Sequence, residues 1–211
     1  MMKNIVYLGK NYASEDIKKS LELSNLKFNS LENVCGLTAK LLTENKIIGW
    51  FQGRSEIGPR ALGNRSILAN PCNPKMKDII NSRVKFRESF RPFAPIFLQE
   101  CVEDYFTIFD DSKFMLKVFY VKDNMKHKIP AVVHVDGTSR LQIINESDNK
   151  RMYDLIDEFR KLTDVPAILN TSFNIKGEPI VETPMDAINC FLKTDIDVLV
   201  IDKYVVQKNE Q

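Results

Sequence analysis

The spacing of apolar residues along the chain predicts five helices. In segment 151–163, apolar residues recur three and four positions apart, so that they would line one face of a helix. Thr183 followed by Pro184 is typical of a helix start, because proline at the first helical position has no amide hydrogen to lose. Helices are predicted over 14–23, 31–44, 75–83, 151–163 and from Thr183 to about Lys193, with a helical turn over 100–106.

Short apolar runs between these helices predict strands. Segment 46–51 is apolar throughout, as a buried strand is, whereas 140–144 alternates like a strand with one wet face. Apolar character resumes at 66–69, residues 1–10 are expected to be extended, and the polar tail from Gln207 is expected to fray. Strands are predicted over 46–51, 96–98, 115–121, 130–137, 140–144, 165–169 and 197–201. Strands that alternate with helices favour an α/β or α+β layered domain.

Length and composition are those of an ordinary globular domain. The chain has 211 residues, of which 44% are hydrophobic and 27% charged, so it suits one large domain or a small two-lobed one. Its formal net charge is only +2, and no global field attracts nucleic acid or membranes. No stretch approaches the ~20 apolar residues of a membrane span, and the chain begins without an apolar leader. A cytoplasmic protein without a membrane partner is expected.

The four cysteines argue against a metal centre. They are widely spaced, no pair has CxxC spacing, and the two histidines do not cluster with them: Cys35, Cys72, Cys101 and Cys190. Zinc is therefore not expected, and reduced, mostly buried thiols of a cytosolic protein are the simpler interpretation.

Segment 49–66 is the strongest candidate for chemistry. It contains the only Trp, four of the eight glycines and three arginines, Arg54, Arg60 and Arg65. Glycine lets backbone amides approach an anion closely, and arginine binds phosphate or carboxylate with two parallel hydrogen bonds. This combination predicts an anion pocket. The competing interpretation is a turn-rich connector whose arginines are merely solvated.

Three further segments place polar groups at predicted strand ends. They contribute Lys85, Arg87 and Arg91; His134, Asp136 and Arg140; and Asn170, Thr171, Ser172 and Asn174. Function concentrates at strand ends in such sheets, so the four segments could converge on one pocket. That pocket would hold several cations, hydroxyls and amides but few carboxylates. It would suit a polyanion such as a nucleoside triphosphate rather than a metal cage.

Common catalytic motifs are absent from the sequence. There is no GxxxxGK[ST], GxGxxG or GxSxG, and Ser172 has no obvious His and Asp partners. His134 near Asp136 could form a metal or acid–base pair, but a structural hydrogen-bonded histidine is the favoured interpretation. Glu56 and Glu178 are expected to orient an arginine.

Four ordered motifs resemble one known family. They are FQGRSEIGPRALGNRS (51–66), FRPFAP (90–95), HVDGTSRLQ (134–142), and NTSFN (170–174) with GEPIV (177–181). They are similar to the C-terminal domain of the O-carbamoyltransferases related to nodulation and antibiotic-biosynthesis enzymes. The resemblance extends from about residue 8 to 206. It implies that 1–211 is a single such domain, and that the family's N-terminal domain, which binds the acceptor and a metal, is not part of this sequence.

The resemblance also implies a fold and a reaction. The expected fold is YrdC-like: an open, twisted, mixed β-sheet with flanking helices and a basic concave face. The expected reaction uses ATP, with Mg²⁺ accompanying it, and carbamoyl phosphate, through carbamate, to give carbamoyladenylate and pyrophosphate. The carbamoyl group would then pass to a hydroxyl held by the N-terminal domain or subunit. No tightly held metal is expected in this domain.

Site residues follow from the resemblance, position by position. Lys85, Arg91 and Arg140 are expected to be catalytic and to meet phosphate or carbamoyl oxygens. Substrate and nucleotide contacts are expected from Arg60, Asn170, Ser172, Gly58 and Asn64. Arg54 and Arg65 are instead expected to be structural and paired with Glu56 or other carboxylates.

Two other functions remain open at this level. The chain could be a non-catalytic nucleotide-binding subunit that needs a separate partner, or it could associate with itself. It could also bind RNA, as related YrdC-like proteins with basic clefts do. Net charge +2 and phenylalanines that look buried count against nucleic acid.

Overall fold

A mixed eight-stranded sheet organises the protein. The structure, a computed structural model, describes residues 6–208. Ten strands occur in the described chain: β1 (Asn29–Ser30), β2 (Ile48–Phe51), β3 (Arg65–Ala69), β4 (Ala94–Leu98), β5 (Phe119–Tyr120), β6 (Thr138–Ser139), β7 (Gln142–Ile144), β8 (Ala167–Ser172), β9 (Val198–Ile201) and β10 (Tyr204–Gln207). The large sheet has the order β1-β10-β9-β2-β3-β8-β4-β7, and β5 pairs separately with β6. The β2–β9 and β4–β7 pairs are parallel and the others antiparallel.

Helices cover the sheet and close one continuous core. They are α1 (Ser14–Leu23), α2 (Val34–Thr43), α3 (Met76–Ile80), α4 (Val102–Tyr105), α5 (Lys150–Thr163) and α6 (Pro184–Lys193). Strands β2, β3, β4 and β9 are buried along their whole length, which explains the unbroken apolar sequences of β2, β4 and β9. Strand β3 instead begins with two buried polar residues, Arg65 and Ser66. The largest fully buried aromatic side chains are Trp50, Phe51, Phe93, Phe97, Phe106, Phe159, Phe173 and Phe191.

Local sequence signals set the helix ends. Asn149 caps α5 by accepting a hydrogen bond from the Met152 amide at 3.2 Å, and Asp164 ends this helix in the left-handed conformation. Thr183 and Asp186 form a reciprocal capping box on α6. The predicted helices over 151–163 and up to Lys193 are thus confirmed. So is the predicted open mixed sheet with flanking helices.

Four predicted segments were wrong or incomplete. Segment 130–137 is no strand: a 3-10 turn at Pro130–Val132 leads into a tight turn, because Pro130 fixes φ. Segment 115–121 pairs only at Phe119–Tyr120. Strand β8 continues past 169 to Ser172, since it pairs with both β3 and β4. Gln207 lies in β10, a strand that was not predicted, and residues 209–211 of the tail expected to fray lie outside the described residues.

Smaller differences concern helix α3, the thiols and the first residues. The helix predicted over 75–83 ends at Ile80 and continues as a π-helical turn, Asn81–Lys85. The four cysteines are reduced, but only Cys190 is buried and the other three are half-buried. Of the extended segment expected at 1–10, residues 1–5 lie outside the described residues. None of the helices within 6–208 is long and apolar enough to cross a membrane.

Candidate anion-binding site

The loop between β2 and β3 is braced from inside by Arg65. This side chain is completely buried. Its guanidinium donates to the carbonyl oxygens of Gln52 at 2.7 Å and Gly53 at 3.1 Å, across the base of the loop. Arg54 is exposed and donates to the Gly9 carbonyl at 3.1 Å. Both arginines therefore support the loop, as expected, but they do so through carbonyl oxygens and not through carboxylates.

Glu56 shapes the same loop through backbone amides. One carboxylate oxygen accepts from the amides of Leu62 and Asn64, both at 2.7 Å, and of Arg65 at 3.3 Å. The expectation that it orients an arginine side chain was wrong. Glu178 pairs with Lys193 at 3.7 Å, so that expectation was wrong for Glu178 too.

Two of the expected binding residues, Asn64 and Gly58, do not line the pocket in which Arg60 and Arg140 meet. Asn64 is buried and donates to the Arg54 carbonyl at 2.7 Å, while its side-chain oxygen accepts from Gln52 at 3.0 Å and Asn149 at 2.9 Å. It therefore belongs to the internal network of the loop. Gly58 is exposed with φ +121°, a conformation that glycine adopts readily. It lines a neighbouring cleft of about 410 Å³ that shares Pro59 with the main pocket.

The main pocket is where separate segments of the chain meet. It has a volume of about 90 Å³, and three arginines line it: Arg60 from the β2–β3 loop, Arg87 from the segment after the π-turn, and Arg140 from between β6 and β7. Strand β8 contributes Asn170 and Ser172. The structure thus brings together Arg60, Arg140, Asn170 and Ser172 from the predicted set. We call this set with Arg87 the arginine pocket.

The arginine pocket is lined by positive charge. None of the described residues that line it is a carboxylate. Burial, with smaller contributions from Arg91 and Arg140, lowers the pKa of Arg87 to about 10, and the nearby carboxylate of Glu88 opposes this shift in part. Burial also lowers the pKa of Arg140, and Arg60 adds to the effect. Buried like charges that repel one another are unfavourable unless an anion joins them. An anion in the pocket would relieve this repulsion.

Several polar atoms in the pocket have no partner among the described residues. They are the Nε atoms of Arg60 and Arg140 and the Oδ1 atom of Asn170. The Asn170 Nδ2 donates to the Ala61 carbonyl at 2.9 Å, which fixes the amide so that Oδ1 remains an open acceptor. Buried polar atoms are normally paired. A ligand that both accepts from arginines and donates to Asn170 would pair them all.

Lys85 lies behind the pocket wall. Its buried ammonium donates to the Ser172 carbonyl, and to both the carbonyl and the Oδ1 of Asn174 at 2.9 Å. Burial lowers the pKa of Lys85 to about 7, with a smaller contribution from Arg87. Ser172 in turn lines the pocket, so Lys85 holds the end of β8 that faces the ligand.

Two other charged residues were assigned differently by sequence and structure. Arg91 is exposed and outside the pocket lining, although near enough to Arg87 to affect its pKa. Arg87 lines the pocket but was missing from the predicted site residues; its position between Lys85 and Arg91 was the available signal. His134 contacts the Thr138 hydroxyl at 3.1 Å, and that hydroxyl donates to Asp136 at 2.7 Å, so this trio stabilises a turn.

Sequence comparison identifies the family. A family model described as carbamoyltransferase C-terminus matches residues 39–208. The chain belongs to this carbamoyltransferase C-terminal family. It is 43% identical over 210 residues to nodulation protein NolO of Bradyrhizobium diazoefficiens, covering 96% of this chain and 38% of that protein. It is 44% identical over 187 residues to nodulation protein NolNO of Sinorhizobium fredii, covering 87% of this chain and 28% of that protein.

Structural comparison supports the fold. A crystal structure of full-length HypF in the phosphate- and nucleotide-bound form superposes with a TM-score of 0.57 at 19% identity, covering 84% of this chain and 22% of HypF. A second HypF, from T. kodakarensis, gives a TM-score of 0.52 at 15% identity, covering 73% of this chain and 20% of the other. The YrdC-like fold class is thereby confirmed. The chain spans between 28% and 38% of the length of these curated relatives.

Proposed function

We propose that this chain forms carbamoyladenylate from ATP and carbamoyl phosphate, as one stage of O-carbamoyl transfer. Membership of the carbamoyltransferase family supports a transferase. The observation that supports carbamoyladenylate formation is the arginine pocket. In it Arg60, Arg87 and Arg140 converge without a carboxylate, while Asn170 presents an unpaired acceptor.

The ligand that fits best carries both phosphate and an amide. The three guanidinium groups suit phosphate oxygens, which accept parallel hydrogen bonds. Asn170 Oδ1 needs a donor, and the carbamoyl –NH₂ is one. A volume of about 90 Å³ holds a group of phosphate or carbamoyl size, and the rest of a nucleotide would extend out of the pocket. The full-length HypF that shares this fold over 22% of its length is in a phosphate- and nucleotide-bound form.

The proposed chemistry has two steps on this chain. Carbamoyl phosphate first reacts with water to give carbamate and inorganic phosphate. A carbamate oxygen then attacks the α-phosphorus of ATP; the new P–O bond forms as the bond to the β-phosphate breaks, and pyrophosphate leaves with the electron pair. Negative charge grows on the α-phosphoryl and leaving oxygens. Fixed arginines stabilise that charge more in the transition state than in the ground state.

Lys85 and Arg91 would act from outside the pocket lining. Lys85 would act from behind Ser172, by holding the strand end and adding positive potential. Arg91, exposed beside Arg87, would meet the part of the nucleotide that extends out of the pocket. Asn170 and Ser172 would orient the carbamoyl group for attack.

A metal ion would enter with the nucleotide. Within residues 6–208, no group of three or more His, Cys, Asp or Glu side chains could hold one. The donors in the arginine pocket are cations and amides, which do not suit Mg²⁺. Mg²⁺ would therefore arrive bound to the phosphates of ATP, and the protein would bind the complex through its remaining phosphate oxygens.

The acceptor hydroxyl would bind elsewhere. In the second stage it attacks the carbamoyl carbon, the bond to the adenylate oxygen breaks, and AMP leaves. The relatives NolO and NolNO are about three times as long as the matched region. We propose that an N-terminal carbamoyltransferase domain or subunit holds the acceptor against the arginine pocket.

The test is isotope exchange between pyrophosphate and ATP, measured with and without carbamoyl phosphate. Exchange is expected only when carbamoyl phosphate is present. Arg60→Ala should abolish it while the protein stays folded, and Arg54→Ala, in the same loop but outside the pocket, should leave it intact. Protein that neither exchanges nor binds ATP would contradict the proposal.

A second candidate is a nucleotide-binding subunit that is inactive alone. The observation that favours it is the position of Lys85 and Arg91: both are expected to be catalytic, but neither lines the arginine pocket. This function predicts ATP binding without exchange, and exchange that appears only when a partner polypeptide is added. Titration calorimetry with ATP, followed by the exchange assay, separates the two candidates.

A further inference from the structure

We propose that Asn81 is a positioning residue that fixes Arg87 for anion binding. This rests on the proposed function, because it takes the arginine pocket as the place where phosphate binds. Asn81 is itself outside the pocket lining. It lies at the start of the π-helical turn Asn81–Lys85, which links α3 to the segment that carries the cations.

Asn81 contacts Arg87 at two points. Its side-chain Oδ1 accepts from the Arg87 Nε at 2.7 Å. Its backbone carbonyl accepts from the Arg87 amide at 3.1 Å. Asn81 is only 1% exposed, so solvent does not compete for these bonds. One buried residue thus determines both where the Arg87 backbone lies and how its guanidinium is turned.

The same amide holds the far side of the loop. Asn81 Nδ2 donates to the carbonyls of Arg91 at 3.2 Å and Ser89 at 3.4 Å. Between these contacts, Phe86 adopts a left-handed conformation with φ +46°, which is unusual for a residue with a bulky side chain. π-helical turns often occur at functional positions. Here the turn and its buried amide shape the loop that carries Arg87.

The hydrogen bond from Arg87 Nε to Asn81 determines which Arg87 donors can contact an anion. An arginine has five N–H donors in a rigid fork. With Nε bonded to Asn81, the two terminal nitrogens remain for an anion. The guanidinium carbon also lies 4.8 Å from the centre of the Phe93 ring, which fixes the plane of the fork. Arg91 and Arg140 both repel Arg87. Without Asn81, Arg87 would turn away from its neighbours, and the anion would lose a bidentate contact.

The experiment measures pyrophosphate binding by titration calorimetry on four proteins: wild type, Asn81→Ala, Arg87→Ala and the double variant. Asn81→Ala is expected to weaken binding about tenfold, the effect of one charged hydrogen bond that is no longer held in place. In the Arg87→Ala background the same change should alter affinity less than twofold, because Asn81 acts through Arg87. Ser82→Ala, an exposed change in the same turn, should bind as wild type.

A second measurement covers the case in which Asn81→Ala does not fold. Asn81→Asp keeps the oxygen that accepts from Nε and the shape of the side chain, but it loses the hydrogen bonds that Nδ2 donates to the carbonyls of Ser89 and Arg91. The Arg87 Nε–H resonance, identified by its loss in Arg87→Lys, should exchange slowly with water in wild type and in Asn81→Asp. Pyrophosphate affinity should still fall in Asn81→Asp, because its carboxylate neutralises part of the positive charge of Arg87.

The outcomes separate this inference from the proposed function. Equal losses from Asn81→Ala with and without Arg87 would mean a merely structural role, and would overturn the inference. So would a rapidly exchanging Nε–H in wild type. If wild-type protein does not bind pyrophosphate at all, the proposed anion function fails, and the inference fails with it. Normal wild-type binding that Arg87→Ala weakens and Asn81→Ala does not would overturn the inference alone.

Discussion

The guanidinium carbon of Arg65 lies 3.6 Å from the centre of the Phe51 ring. The two residues flank the β2–β3 loop, one at each end. Arg65 begins β3 and Phe51 ends β2, and the two are paired across the sheet. Stacking and the carbonyl hydrogen bonds of Arg65 close the loop that presents Arg60. The arginine at position 65 therefore stabilises the structure, whereas the arginines Arg60, Arg87 and Arg140 line the adjacent pocket.

Replacing Arg65 should destabilise the fold. Arg65→Ala removes a buried cation and leaves several carbonyl oxygens unpaired, so a loss of about 3 kcal/mol in the free energy of unfolding is expected. Arg54→Ala, which changes an exposed arginine, should stay within about 0.5 kcal/mol. Urea unfolding followed by circular dichroism measures both. Equal stability of the two variants would contradict a bracing role for Arg65.

Glu56 should matter through its acceptor oxygen and not through its charge alone. Glu56→Ala removes the partner of three backbone amides, and a loss of about 2–3 kcal/mol is expected. Glu56→Gln keeps one acceptor oxygen and should lose less than half as much. Thermal unfolding of both variants is the measurement. If Gln were as damaging as Ala, the negative charge itself would be the stabilising feature.

Asn170→Asp should separate stability from ligand binding. The new carboxylate would lie among Arg60, Arg87 and Arg140, where no described lining residue is acidic. It would pair with these cations but lose the hydrogen bond that Asn170 Nδ2 donates to the Ala61 carbonyl, so the melting temperature should change by only a few degrees. The carboxylate would also neutralise the arginine charges that are proposed to bind phosphate, so pyrophosphate affinity should fall at least tenfold. A lower melting temperature together with unchanged affinity would show that these arginines do not form one electrostatic unit.

Lys85 should make stability depend on pH in one direction. Burial lowers the pKa of Lys85 to about 7, from 10.5 in the unfolded chain. Between these values the unfolded chain holds the extra proton, so the contribution of Lys85 to stability rises with pH. The slope is at most about 1.4 kcal/mol per pH unit, the value for one proton. Urea unfolding of wild type and Lys85→Met from pH 6 to 9 measures this. The wild type should gain relative to the variant as pH increases.

A flat or falling difference between these two proteins would mean that Lys85 keeps its proton throughout, held by its oxygen partners. Saturating pyrophosphate provides the control, because a nearby anion raises the pKa of Lys85 and should move the rise in stability to higher pH.

Long amphipathic elements and capped helix starts could be predicted from sequence. Helices α5 and α6 and strands β2 and β9 have local patterns strong enough to fix their type. The strand predicted over 130–137 was wrong because a short apolar run is as typical of a buried turn as of a strand. Strand β10 was missed because it follows β9 across a tight turn at Asp202 and Lys203, near a polar tail.

The sequence predicted which types of residue form the candidate site, but not which individual residues line it. The four motifs are recognisable along the chain, and the family followed from them. Arg60, Arg65 and Arg54 are nevertheless the same residue type in one loop, and only the fold gives them different surroundings: the pocket, the buried brace and the surface. Asn64 looked like a ligand-binding amide and instead holds the loop together.

The sequence by itself determined the composition of the site: many cations, few carboxylates, and amides at strand ends. It could do so because residue type fixes charge and hydrogen-bonding capacity. Tertiary structure alone decided which of these groups meet. Sheet pairing of β8 with β3 and β4 brings Asn170 and Ser172 beside loops that are remote in sequence. Burial then left some polar atoms paired and others without a partner, among them Asn170 Oδ1 and the Nε atoms of Arg60 and Arg140 in the arginine pocket.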